Sequence, residues 1–340
     1  MRYPYNPENF TSFHSSETVY DKAFLTRLYR EMLRIRRIEE EIASRYHEDE
    51  MKSPIHLVIG QESTAVGVCA ALEKTDLAFC GHRTHGVYLA KGGDLKAMMS
   101  ELYCRANGCA GSRGGSMHLF DKSVGMESSS AIVAGSIPTS VGAAFASQRR
   151  KDKFICVSFL GDAATEEGAF WEALNFAALH KLPIVFICEN NFFSVCSPLE
   201  VRQPKVAIYK KAESFGVPSV QIDGTKVLEV YAAARQAVER ARSGAGPSFI
   251  ESVAYRYLGH GGATDDSASG YRDPAEVEHW REHDPISTFH DFLVSKSQLT
   301  ATEIEQMEKE IRSEVLSAFE HAISSPEPGE EELMTHVYSD

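Results

Sequence analysis

The hydrophobic positions of this chain change period along its length. Between Asp21 and about His47, Phe24, Leu28, Met32, Ile35, Ile38 and Ile42 recur at three- and four-residue steps, which predicts one long amphipathic helix. Glu62 to Leu72, ESTAVGVCAAL, predicts a second helix whose small residues suit close packing. Near the centre the helical period gives way to FICVSFL, Phe154 to Leu160. This continuous apolar, β-prone run fits a strand buried on both faces. Glu166 to Leu179 returns to helical period, with Phe170, Leu174, Ala177 and Ala178 on one stripe. Pro183 ends that helix, and Ile184 to Cys188 form a second buried strand. Strand, helix and strand in that order make a βαβ unit, which implies parallel strands and a right-handed crossover. Lys226 to Ser243 then predicts a helix, Ser248 to Tyr257 a strand, and LGHGGATDDSASGYRDP a flexible loop, with mostly helix from Ala275 onward. The pattern predicts an α/β fold: an open, mostly parallel sheet flanked by helices, with an N-terminal helical arm and C-terminal helices. Residues 1–50 are expected to hold the arm and first helix, and residues 51–340 the α/β domain with its C-terminal helical region.

Composition narrows the function classes. The chain has 340 residues, 43% hydrophobic and 24% charged, enough for a sizeable core. A formal net charge of −13 argues against a general nucleic-acid surface, which needs an excess of Lys and Arg. Seven scattered cysteines without a C-x-x-C pair fit a reduced protein, with Cys156 and Cys188 as small core residues. No run approaches the length of a membrane span. The N-terminal segment, a polar arm with Pro4 and Pro7, lacks the features of a signal or transit peptide, so the cytoplasm is the expected location.

Candidate chemistry sits at the strand ends, where ligands bind in open parallel sheets. The first strand runs into Gly161-Asp162, the second into Glu189-Asn190-Asn191, and the third into Arg256 and His260. Alone, Asp162 reads as a cap on the following helix. Paired with Asn191 one crossover later, its carboxylate and the amide oxygen suit a hard cation such as Mg²⁺. The small residues after Asp162 would let a diphosphate approach the backbone amides at a helix N-terminus. The Gly-rich stretch NGCAGSRGGS, Asn107 to Ser116, with Arg113 in it, reads as a functional loop. His118 is equally suited to a functional role or to ordering that loop, and His85 reads as a neighbour of Arg83. His279 and His283 lie one helical turn apart but lack the H-E-x-x-H arrangement of a zinc pair.

Gly161-Asp162-Ala163, 26 further residues and Asn190-Asn191 resemble the Gly-Asp-Gly…Asn-Asn motif of thiamine diphosphate enzymes. Ordered stretches extend the likeness: IHLVIGQES, GHRTHG, GGSMHLF, ALNFAALHKLPIVFICENN, YRYLGHG, YRDPAEV and the PEP…EEL tail. Together they resemble the alpha subunit of the first, decarboxylating component of 2-oxo acid dehydrogenase complexes, the pyruvate and acetoin types above all. The resemblance implies a thiamine diphosphate-binding fold and the cofactors thiamine diphosphate and Mg²⁺. It assigns Asp162, Asn191 and the Phe193 carbonyl to the metal, and Gly161, Ala163 and Ala164 to the diphosphate. Arg83 and Arg256 would neutralise the diphosphate, with His82 beside them, and Ala131 and Val133 would grip the aminopyrimidine through backbone groups. His56 and His260 would be the catalytic residues, facing the substrate and titrating near the working pH, with His260 also touching the cofactor. It further implies a beta subunit that supplies an activating glutamate in an αβ heterotetramer. A lipoyl acyltransferase would receive the acyl fragment.

Four positions depart from the family pattern. Ala163 replaces the second Gly of the motif, which implies that no positive φ is needed there. His82 stands where pyruvate enzymes have Tyr, and Ser136 where Gln is common. Gly261 stands where mammalian pyruvate enzymes carry a regulatory Ser, in a loop two residues longer, so no phosphorylation switch of that type is expected. Ser128-Ser129 leans towards a branched-chain 2-oxo acid enzyme as the alternative. A non-catalytic scaffold subunit is the alternative from another class, opposed by the intact Asp162, Asn191, Arg83, Arg256 and His260.

Overall fold

The computed structural model describes residues 10–14, 18–335 and 337–338. Pro4 and Pro7 of the expected arm lie outside the described residues. Its described part is fastened by Thr11, which donates to the Gln221 carbonyl (2.9 Å), and by the amides of Phe13 and His14 on Glu229 (2.7 and 3.0 Å).

The chain begins with α1 (Lys22–Arg45), α2 (Glu62–Ala70), β1 (Leu77–Cys80), α3 (His85–Ala90), α4 (Leu95–Leu102) and β2 (Met126–Ser129). The centre holds α5 (Ser136–Arg150), β3 (Cys156–Gly161), α6 (Gly168–His180), β4 (Ile184–Asn190), a small ribbon of β5 (Phe193–Ser194) and β6 (Ser197–Pro198), α7 (Leu199–Arg202) and α8 (Ile208–Glu213). It ends with β7 (Ser219–Asp223), α9 (Val227–Arg242), β8 (Ser248–Val253), α10 (Pro274–Arg281), α11 (Pro285–Ser295) and α12 (Ala301–Ser324). Six strands form one sheet in the order β2-β1-β3-β4-β8-β7, and all of its ladders are parallel. The expected α/β architecture is therefore present. β3 and β4 pair from Cys156↔Ile184 to Gly161↔Glu189, and both are buried over nearly their whole length. The order reverses at β1, which has β2 on one side and β3 on the other, so a crevice opens at the carboxyl ends of β1 and β3.

The helices hold this frame through specific contacts. α1 starts where expected: the Asp21 side chain accepts from the Phe24 amide (2.7 Å), and its apolar stripe is buried. The small-residue α2 lies against α9 so closely that a Cβ at Gly67 would stand 2.7 Å from Val230. Arg36 of α1 bonds the buried Glu62 of α2 (2.5 Å) and Asp284, the N-cap of α11 (2.7 Å). That single guanidinium ties three helices together through charge-assisted bonds.

Two boundaries differ from the sequence pattern for physical reasons. β8 stops at Val253 rather than Tyr257. The Tyr257 amide instead donates to the Ile59 carbonyl (3.2 Å), which turns the chain over the crevice. The helix expected from Glu166 begins at Gly168, because Asp162–Glu166 first make a 3₁₀ turn, closed in part by Thr165 Oγ1 on the Asp162 carbonyl (2.7 Å). The segment expected as a flexible loop is pinned by Arg272. This buried side chain donates to the carbonyls of Arg256 and Tyr257 (2.8 and 2.9 Å) and pairs with Asp266 (3.0 Å).

Candidate active site

One cavity lies at the carboxyl ends of the central strands. It is lined after β1 by Gly81, His82 and Arg83, after β2 by Ser130–Ala134, and after β3 by Gly161–Ala164. Glu189, Asn191 and Phe193 line it from β4 and beyond, and His56 and His260 complete it. Of the residues that the resemblance assigns to metal, cofactor and catalysis, all but Arg256 line this cavity. Arg256 is buried behind it, donating to the carbonyls of Leu258 (3.1 Å) and Val195 (2.5 Å) and to Tyr271 Oη (2.9 Å). Its Nε has no partner among the described residues.

Gly161 leaves β3 with φ −80°, a backbone that any residue adopts, and no protein atom lies within 4 Å of where its Cβ would stand. Neither backbone nor packing demands glycine here; what the missing side chain preserves is open space on the cavity wall. Asp162 follows, buried, and its carboxylate does not cap a helix. The N-cap of α6 is Glu167, without a side-chain cap bond. Arg202 of α7 instead holds both Asp162 and Glu166. Burial pushes the Asp162 carboxyl up, against the pull of Arg202. Ala163 is not among the residues with positive φ, so Ala in place of the motif's second Gly strains nothing.

Across the ladder, Asn191 is buried and donates through Nδ2 to Gln61 Oε1 (3.0 Å), while its Oδ1 accepts from the Phe193 amide (3.3 Å). Asn190 turns the other way and donates to the buried Glu251 (2.7 Å). The Asn pair thus divides its work: Asn190 anchors the sheet, and Asn191 faces the cavity. Ala134, Phe192 and Val195 have φ of 62°, 69° and 52°. Ala134 and Val195 line the cavity and Phe192 stands between two residues that do, so three of the nine non-glycine residues with left-handed backbone among the described residues lie at this site.

The opposite wall is built of histidines. The rings of His56, His82 and His260 lie 4.7–5.1 Å apart, centroid to centroid. Burial, and then the nearby Arg83 cation, pull their pKa values down to about 3 for His56, about 2 for His82 and about 4 for His260. The expectation that His56 and His260 titrate near working pH is therefore corrected: without a bound anion both are neutral. Arg83 donates to the Leu57 carbonyl and to the His260 carbonyl (3.4 Å). Burial and Arg256 push it down to about 10, so it stays charged near neutrality. Glu189 faces Arg83, and burial raises its carboxyl to about 7.

Other candidates lie elsewhere. His85 is fully buried between Glu39 (2.6 Å) and Ser116 Oγ (2.7 Å). His118 is exposed and bonds the Ser129 carbonyl (3.2 Å). Arg113 pairs with Glu332 (2.9 Å) and does not line the cavity. The Gly-rich loop is organised by buried Glu101, which accepts from the amides of Ala110, Ser112, Gly114 and Gly115 (2.7–3.0 Å). Sequence reading missed Gln61 and Arg202 and gave Glu189 no role. Gln61 and Glu189 sat inside quoted motifs. Arg202 carried no signal, because only the β5–β6 turn brings it back over the end of β3. Among the described residues no helix is long and apolar enough to cross a membrane, and all seven cysteines are free.

Comparison with known proteins agrees along the chain. The profile of the dehydrogenase E1 component family matches residues 30–331. The chain is 37% identical over 312 residues to the alpha subunit of acetoin:2,6-dichlorophenolindophenol oxidoreductase from Bacillus subtilis (strain 168), covering 92% of each. It is 38% identical over 310 residues to the pyruvate dehydrogenase E1 component subunit alpha of Rhizobium meliloti (strain 1021), covering 91% of this chain and 88% of that one. The corresponding subunit of Zymomonas mobilis is 37% identical over 319 residues, covering 93% and 89%. With its parallel sheet, its strand-end cavity and these matches, the chain belongs to the dehydrogenase E1 component family, alongside the alpha subunits of pyruvate dehydrogenase and of acetoin oxidoreductase.

Proposed function

We propose that this chain is the alpha subunit of a thiamine diphosphate- and Mg²⁺-dependent dehydrogenase. It would act on a small 2-oxo acid such as pyruvate, or on an acetoin-type substrate, and pass the acyl fragment to a lipoyl group. The observation that carries the reading is the pairing at the ends of β3 and β4. A buried carboxylate, Asp162, and a buried amide oxygen, that of Asn191, line one cavity beside the open side of Gly161. Oxygen donors of this kind suit Mg²⁺, which keeps few protein ligands and shares the rest with phosphate. The open space at Gly161 fits a diphosphate close to the backbone. In this reading Asp162, Asn191 and the Phe193 carbonyl hold the metal. The backbone of Gly161, Ala163 and Ala164 receives the diphosphate. Arg83 neutralises it from within the cavity, and Arg256 from behind Phe193.

Thiamine diphosphate, when bound, supplies a nucleophilic carbon and an electron sink for the carbanion left by decarboxylation. The chain's own residues do the rest. Ala131 and Val133 present backbone groups to the aminopyrimidine. His82, His56 and His260 close the other wall as neutral imidazoles, each with a nitrogen free to hold a substrate oxygen or accept a proton. An anion beside Arg83 removes one of the causes that depress these histidines, so their basicity rises when the site is filled. Ile132, 74% exposed, and Val133, 49% exposed, stand at the cavity rim. Apolar residues there fit coverage by a beta subunit that brings the activating glutamate. The test is coexpression with a beta-type partner and assay of pyruvate, branched-chain 2-oxo acids and acetoin with thiamine diphosphate and Mg²⁺. Turnover of one class, dependent on both additions, is expected; a complex that neither binds the cofactor nor turns over any of them contradicts the reading.

A further inference from the structure

In the cofactor-free chain the histidines proposed above to face the substrate have a second property. Each of His56, His82 and His260 offers a ring nitrogen, and these atoms all lie within 4.8 Å of one another. His56 is only 8% exposed, and its Nδ1 has no hydrogen-bond partner. No hydrogen bond from the ring nitrogens of His82 or His260 is made to any described residue. His85, a few residues from His82, shows what a satisfied histidine looks like here, with both nitrogens bonded. A buried, unpartnered imidazole nitrogen facing two others is an uncompensated acceptor set. It is also the donor set of an N₃ transition-metal site with an open fourth position.

We propose that His56, His82 and His260 form a binding site for a borderline transition-metal dication of the Zn²⁺ or Co²⁺ kind, distinct from the oxygen site at Asp162 and Asn191. Ligand type separates the two sites. Imidazole nitrogen selects Zn²⁺ and Co²⁺ over Mg²⁺, and carboxylate and amide oxygens suit Mg²⁺. Bonds of about 2.0–2.1 Å to a central ion require each ring to move inward by about 0.7 Å from the widest spacing, within the reach of side-chain rotation. Burial and Arg83 keep all three rings in the unprotonated form that ligates a metal. Arg83 opposes a second cation nearby. Glu189, which lines the same cavity, places a carboxyl group there to offset it. The fourth position faces the cavity and takes water or an oxygen ligand.

The test is titration of the full-length chain with Co²⁺, without thiamine diphosphate. One equivalent giving the intense visible absorption of four-coordinate Co²⁺ is expected, displaced by Zn²⁺ and untouched by excess Mg²⁺. His82→Gln and His260→Gln should each weaken Co²⁺ binding by at least about 100-fold, more than loss of an outer-sphere partner does. His279, Glu282 and His283 form a second, more exposed group of potential ligands, so His283→Gln is the control and should leave the spectrum unchanged. Circular dichroism of each variant establishes that it is folded. Loss of the signal in His283→Gln, its retention in His82→Gln, or weak six-coordinate bands alone would overturn the site. Because the titration needs neither cofactor nor partner subunit, its outcome is independent of the assay under Proposed function.

Discussion

Asp162 shows how a residue's meaning depends on its partners. As a lone aspartate after a strand it suits a helix cap, yet its carboxylate caps nothing and lies buried against Arg202. In the cofactor-free chain Arg202 is therefore the counter-ion of the carboxylate that we propose holds the metal. Arg202→Ala leaves that carboxylate buried and unpaired. It should cost the cofactor-free chain about 3 kcal/mol in urea unfolding, and saturating Mg²⁺ with thiamine diphosphate should restore much of the loss. Ala163→Gly should change cofactor affinity little, since Ala163 already has an ordinary negative φ; a large gain in affinity by calorimetry would show strain at that position. The histidines give a pH prediction. Their folded pKa values, about 2 to 4, lie below the unfolded value near 6.5, so between those limits the unfolded chain binds more protons. Their contribution favours the fold above pH 6.5 and is lost as pH falls towards 4. In NMR of the cofactor-free chain the three ring signals should hold the neutral shift from pH 8 to 5, whereas titration near 6.5 would show that Arg83 and burial do not depress them.

At the scale of elements, the site is made by how segments end. β3 and β4 were legible because a buried parallel strand must be a continuous apolar run, and their ends then followed from Gly161 and Asn190-Asn191. β8 was read four residues too long. The pattern of Ala254–Tyr257 is equally compatible with pairing outside the sheet, and Ile59, far away in sequence, takes that amide. Arg202 was illegible for the same reason: its neighbour Asp162 is set by the β5–β6 turn and not by any period. The Gly-rich loop was recognisable as special, but its organiser, Glu101, lies on α4 and resembles any helix-surface glutamate. Glu101→Gln should remove the charge that four amides share and cost at least about 3 kcal/mol, read by denaturant unfolding. A loss below about 1 kcal/mol would mean that the loop is held by other contacts.

At the scale of the whole molecule, the all-parallel sheet reverses order at β1, and that reversal gathers segments from across the chain into one cavity. His56 and His260 stand about two hundred residues apart in sequence with their ring centroids 5.0 Å apart. No periodicity could bring them together, which is why resemblance to known motifs, rather than pattern, assigned their roles. The exposed apolar rim at Ile132 and Val133 is the surface that we propose a beta-type partner covers, so turnover should appear only on adding that partner. The most direct test of the account is calorimetric titration of thiamine diphosphate with Mg²⁺ into the assembled complex, wild type against Asp162→Ala. The account predicts saturable, Mg²⁺-dependent binding to the wild type. It predicts binding weakened at least about 100-fold in the variant, whose circular dichroism is unchanged, as expected for loss of a direct metal ligand. Equal affinity in a folded Asp162→Ala complex would contradict the assignment of Asp162 and Asn191 as the metal–diphosphate clamp.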